Sequence, residues 1–303
     1  MEQSFEEFIV QYIGERNPLH LKKIRKNLLR MKADPDFVPM SQKFYDRYDA
    51  YLLRTGKTRS YAADCYLRMI DDFVAETVRF SETGAYSSTS FEEVNRRVYA
   101  QPEVMDYYMH GLLLTQFIWV HHFELLKYYT AELSRLAPAG GNYLEIGGGH
   151  GLYLNMAKEL LSGDWTFSVV DISETSLQIA RSFADSEGVD FIHADIFELK
   201  ERNRPDFIVM GEVLEHLEDP LALLQRLHGM LDPDGKLFIT TPTNAPAIDH
   251  IYLFRSPDEI RGLISRAGFE VMSEKSFSSE DVPLEQAEAL HISILYSAFL
   301  RKK

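Results

Sequence analysis

The densest run of chemically useful residues is Glu145-Ile146-Gly147-Gly148-Gly149-His150-Gly151, which begins where the apolar segment at 143–146 ends. Glycines let main chain approach a ligand closely, because they carry no Cβ. The pyrophosphate fingerprint GxGxxG would need a glycine at position 152, and the chain has Leu152 there. A second group, Tyr107, Tyr108, Gln116, Trp119, His121 and His122, lies on a segment that reads as a helix apolar on every side. Such a helix is buried or lines a cavity. His121 and His122 would project about 100° apart on a helix, so at most one is expected to reach a substrate. Cys65 is the single cysteine, which permits no internal disulfide and no cysteine cluster for zinc or iron–sulfur. The chemistry must come from carboxylates, histidines, main chain and a bound cofactor.

Two kinds of element have to position these residues. Up to about residue 135 the signals are helical, starting with the capping box Ser4-x-x-Glu7, which satisfies two free amides at a helix start. Ala62, Tyr66, Met69, Ile70, Phe73 and Phe80 recur at helical spacing and predict an amphipathic helix over roughly 58–80. Ser90-x-x-Glu93 caps a short helix, and Pro102 opens a long one expected to run to about Arg135. After the APAGG stretch at 137–141 the pattern changes to β-rich runs alternating with amphipathic segments, the mark of a parallel sheet with crossover helices. Strands are expected at 143–146, 166–171, 189–194, 206–210 and 236–242, with two more at 269–277 and 292–300. Helices are expected at about 151–162, 174–187, 219–231 and 257–267.

In an open α/β sheet a ligand sits beyond the carboxyl ends of the strands, which is where the glycine run falls. Its spacing, E-x-G-x-G-x-G, resembles the cofactor loop of class I S-adenosylmethionine-dependent methyltransferases. The resemblance covers residues 142–302. It implies a Rossmann-like α/β fold with a seven-stranded, mostly parallel sheet, an antiparallel C-terminal strand, and S-adenosyl-L-methionine as cofactor. It further implies that Glu145, Gly147, Gly149 and Gly151 form the loop, and that Asp171, beside Ile172, takes the ribose hydroxyls. Asp195, beside Ile196, would face the adenine, and Gly211 and Glu212 would run beneath the methionine part. The all-helical N-terminal part, residues 1–138, is then expected to cap a catalytic domain at 139–303.

A sulfonium donor needs little more than positioning, a dry site and a base where the nucleophile carries a proton. His216 is the first candidate base, followed by His121, Tyr107 and Tyr108. Gln116, Trp119 and His122 on the cap, and His250 and Tyr252 in the long segment after the fifth strand, are expected to contact a small-molecule acceptor. The set Glu212, Glu215 and His216 is similar to a segment associated with magnesium in some ubiquinone-pathway O-methyltransferases. Carboxylates suit magnesium and histidine does not, so no metal is expected. The enclosed cap suits specialised metabolism. It also admits an intramolecular cyclisation of the donor to azetidine-2-carboxylate and methylthioadenosine. A non-catalytic cofactor-binding module is a third reading, which the full set of loop and acids opposes.

The 303 residues are 45% hydrophobic and 26% charged, the balance of an ordinary folded protein. Lys and Arg number 32 against 46 Asp and Glu, a formal charge of −14, so a nucleic-acid partner is not expected. The acidic start MEQSFEEF lacks a secretory pattern, and the apolar run at 111–120 is too short for a bilayer. A cytoplasmic protein is therefore expected. Oligomeric state is not written in the sequence.

Overall fold

The computed structural model describes residues 3–200 and 203–303. Its N-terminal part is helical: α1 Phe5–Arg16, α2 Pro18–Met31, α3 Phe37–Arg54, α4 Arg59–Thr83 and the short α5 Phe91–Val94. A π-helical turn, Asn95–Tyr99, follows α5 and precedes α6 Pro102–Thr115 and α7 Val120–Leu136. Ser4 and Glu7 form the capping box of α1, and Ser90 caps α5. The stripe read from Ala62 to Ile70 is buried on α4, which packs along α6.

The remaining chain alternates as expected: β1 Gly141–Ile146, α8 Leu152–Leu160, β2 Trp165–Asp171, α9 Glu174–Phe183, β3 Val189–His193, β4 Phe207–Gly211, α10 Pro220–Met230, β5 Lys236–Thr243, α11 Pro257–Arg266, β6 Phe269–Ser278, α12 Leu284–Ala289 and β7 Ile294–Lys302. The seven strands lie in the order β3-β2-β1-β4-β5-β7-β6. All neighbours are parallel except β7, which runs antiparallel to both β5 and β6. The order reverses between β1 and β4, so their carboxyl ends open a crevice between them.

Two expected elements are different. The helix expected over 174–187 stops at Phe183, because Ala184 turns extended (φ −78°, ψ 167°). The helix predicted over 102–135 breaks at Gln116–Trp119, where Trp119 is extended (φ −106°, ψ 129°). No proline or glycine marks the break. Burial takes its place: Phe117 and Ile118 are inaccessible, and Phe117 packs between Phe44 and Phe123. Among the described residues no helix is long and apolar enough to cross a membrane.

The helices and the sheet are not separately packed. One core unites α1, α3, α4, α6 and Phe123 with Leu152, Ile179 and Phe183 from α8 and α9. Another places Leu125, Tyr129 and Leu133 of α7 among Tyr143, Phe238 and Phe299 of the sheet. Helix α7 thus covers one face of the strands.

Candidate active site

A cavity of about 1050 Å³ opens at the carboxyl ends of the strands and runs under the helices. That is at or above the upper range of small-molecule sites, roughly 300–1,000 Å³. Its floor comes from the loop after β1, the ends of β2 to β5 and the segment after β5. Its roof comes from α2, α4, α6 and α7.

The floor carries Gly147 and Gly149, both in the left-handed region (φ +65° and +50°). A Cβ on Gly149 would lie 3.3 Å from Met109 Sδ, the roof residue above it. Asp171, at the end of β2, is 9% exposed, and its two carboxylate oxygens accept the amides of Ser173 (2.8 Å) and Gly149 (3.1 Å). Burial raises its pKa, and those amides oppose the rise. The acid therefore holds the glycine loop in place while facing the cavity. Asp195 accepts the Phe197 amide (2.9 Å) and lines the same wall with Ile172 and Ile196. Gly211 and Glu212 follow β4 on the floor, and Glu212 holds a strained φ of +53°. Burial, then Glu215, push its carboxyl well above the usual range.

On the roof, Tyr108, Gln116, Trp119, His121 and His122 all line the cavity. The break before α7 changes the expectation for the histidine pair. Standing in the first turn beside Trp119, both rings reach the wall, 4.5 Å apart. Trp119 Nε1 donates to Tyr66 Oη (2.9 Å), which lies 2.7 Å from His20 Nε2, so the indole is held from behind. Thr115 Oγ1 donates to Leu112 O (2.7 Å) and lies 2.7 Å from His122 Nδ1. The Gln116 side-chain nitrogen lies 3.3 Å from the same Nδ1, so Thr115 and Gln116 together hold the ring in place. Burial pulls the His122 pKa well below its ordinary value, and burial with Lys23 lowers His121 to about 3. Both rings are neutral in the physiological range.

Four residues expected at the site lie off the cavity wall. Glu145 is 2% exposed beneath the loop, accepts the Tyr143 hydroxyl (2.7 Å), and is raised to about 8 by burial. Gly151 (φ +77°) caps α8, where a Cβ would come within 2.8 Å of Ala180 Cα. Its role is close helix packing. Tyr107 turns away to donate to Asp72 (2.6 Å), and Tyr252 packs on Phe254. His216 and His250 do line the cavity, but His216 faces Glu215 (Nε2 to Oε1, 3.7 Å).

The sequence reading missed Tyr99 and Asp249. The π-helical turn carries Tyr99 onto the wall, edge-on to His216, where its hydroxyl donates to Asp249 (3.4 Å). Asp249 is buried at 4% exposure directly before His250, and that adjacency was the one available signal.

The residues present suit S-adenosylmethionine. Four glycines, Gly147, Gly148, Gly149 and Gly211, floor the cavity, and acids end β2 and follow β3 on the same wall, on neighbouring strands. Gly147, Gly149, Asp171, Asp195 and Ile196 would hold it.

Comparison with known proteins agrees with this geometry. Residues 119–274 match a family model described as a methyltransferase domain. A ubiquinone biosynthesis O-methyltransferase of Xanthomonas axonopodis pv. citri (strain 306) is 32% identical over 126 residues, 40% of this chain and 50% of that protein. A counterpart from Coxiella burnetii (strain Dugway 5J108-111) is 29% identical over 119 residues, 38% of this chain and 48% of that protein. The chain thus spans about half the length of the curated relatives it matches. The solved structure of the mitomycin 7-O-methyltransferase MmcR has the same fold, with a TM-score of 0.52 at 14% identity over 81% of this chain and 70% of that one.

Proposed function

The chain belongs to the class I S-adenosylmethionine-dependent methyltransferase family, and from that premise we propose that it methylates a small molecule enclosed between its helices and its sheet. The observation that carries the reading is the continuity of the cavity. Glycine-loop floor and Trp119–His122 roof line one space, larger than a cofactor alone requires. When bound, the cofactor supplies an activated methyl group on a sulfonium.

The chain's residues supply the rest. Asp171 and Asp195 orient the nucleoside end, and the main chain at Gly147 and Gly149 allows close approach. Phe73, Leu112 and Trp119, each half-buried, give the acceptor an apolar seat. His122, neutral and held at Nδ1 by Thr115 and Gln116, accepts the acceptor's proton. His216 ranks behind it, because its Nε2 faces Glu215 and not the roof. The ubiquinone-pathway relatives support a hydroxyl as the accepting group, and the apolar seat supports an acceptor of specialised metabolism.

Incubation with donor labelled on the methyl group, alone and then with hydroxylated apolar acceptors, tests this. Label on the acceptor together with S-adenosylhomocysteine is the expected result. Methylthioadenosine from donor alone would mean intramolecular cyclisation, and no turnover would mean a binding module. His122→Asn should lower kcat on the order of 10²-fold, the lower range for a general base. S-adenosylhomocysteine affinity should stay within about threefold, since the residue acts on the acceptor.

A further inference from the structure

We propose that His250, which comes from the long segment after β5, completes with Glu215 and His216 a divalent-metal site of two imidazoles and one carboxylate that prefers zinc-like ions over magnesium. Their donor atoms lie within 4.8 Å of one another. Glu215 Oε1 stands 3.7 Å from His216 Nε2 and 4.0 Å from His250 Nε2. These separations are too long for hydrogen bonds. A shared ion would draw them together.

Each donor is already aimed. His216 Nδ1 donates to Asp249 O (3.0 Å) and His250 Nδ1 donates to Ala245 O (2.6 Å). A carbonyl can only accept, so both rings carry the proton on Nδ1 and turn a lone pair on Nε2 toward Glu215. The other carboxylate oxygen, Oε2, accepts the Thr241 hydroxyl (2.7 Å). The Glu215 carbonyl accepts the amides of Ile251 (2.8 Å) and Tyr252 (2.9 Å), which fixes the His250 segment against it. Outer partners of this kind orient metal ligands and set their tautomers.

The second observation is an orphan. Glu215 is fully buried, and its Oε1 has no hydrogen-bond partner among the described residues. A buried carboxylate oxygen left in that state costs on the order of 1–3 kcal/mol, so it calls for an occupant. With the carboxyl ionised, the two imidazole nitrogens and the carboxylate oxygen that face one another are all lone-pair donors. A cation satisfies all three.

The donor set selects the cation. Magnesium demands oxygen ligands in octahedral geometry, whereas imidazole suits zinc, iron, cobalt, nickel and copper. Glu212, the further carboxylate of the magnesium-associated pattern, is not one of the three, and its side chain accepts the Thr240 hydroxyl instead. Three protein ligands leave at least one position open, and His216 and His250 both border the cavity.

The test uses the full-length protein, stripped with a chelator and free of cofactor, so its outcome is separate from that of methyl transfer. Calorimetry with zinc chloride should give one equivalent bound, and cobalt chloride should produce visible d–d absorption. Magnesium chloride should give no saturable heat. His250→Ala should weaken zinc at least tenfold, Glu212→Gln should leave it unchanged, and His250→Cys, which keeps a donor, should retain it. Should His250→Ala fold poorly, a zinc-induced rise in Tm present in Glu212→Gln and His250→Cys supports the site. Absence of stoichiometric zinc in the native protein would overturn it. So would loss in Glu212→Gln with retention in His250→Ala.

Discussion

Asp171→Ala is expected to weaken S-adenosylhomocysteine binding by tenfold or more. The carboxylate ends β2 on the cavity wall, and its oxygens hold the Ser173 and Gly149 amides. Removal takes away the ribose acceptor and releases the loop at Gly149 at once. A hydrogen bond to a charged group contributes about 1.5–3 kcal/mol, so one such bond already amounts to tenfold. Asp171→Asn separates the two effects: its side chain keeps one acceptor oxygen but lacks the charge, and it should fall between native and alanine. Calorimetry on the three proteins measures this, and equal affinities would remove Asp171 from the ribose role.

Cutting the chain to residues 139–303 should have the larger structural effect, leaving a fragment that does not fold in soluble form. The cut deletes α7, whose Leu125, Tyr129 and Leu133 lie in one core with Tyr143, Phe238 and Phe299. Burying each such side chain contributes about 1.5–3 kcal/mol, so the three supply roughly 5–9 kcal/mol. Total stabilities are about 5–15 kcal/mol. The deletion also uncovers Leu152, Ile179 and Phe183 on α8 and α9. A fragment that stays soluble, binds cofactor and turns over at the full-length rate would contradict a cap that shares its core with the sheet. Soluble yield, circular dichroism and labelled-donor turnover settle which holds.

The strands and crossover helices were legible because period-2 and period-3.6 patterns are local, and three of the crossover helices start at a side-chain cap, Ser173, Asp219 or Ser256. The glycine loop was legible through spacing alone. Long-range packing was not. Gly151 is a glycine because α9 presses on it, and Tyr107 faces away because Asp72, thirty-five residues earlier, takes its hydroxyl. The break at Gln116–Trp119 is imposed by the aromatic cluster around Phe117, which no motif announces, and it brings both histidines to one wall. Glu215 and His216 were visible as a motif, but their partner His250 lies thirty-four residues on and meets them only through the fold.

The crystal structure of the protein with S-adenosylhomocysteine tests most directly whether one cavity serves cofactor and acceptor. It should show the ribose hydroxyls on Asp171, the adenine near Asp195 and Ile196, and the sulfur directed at open space below Trp119 and His122. A nucleoside bound elsewhere, or a sulfur pointing away from that roof, would contradict the account.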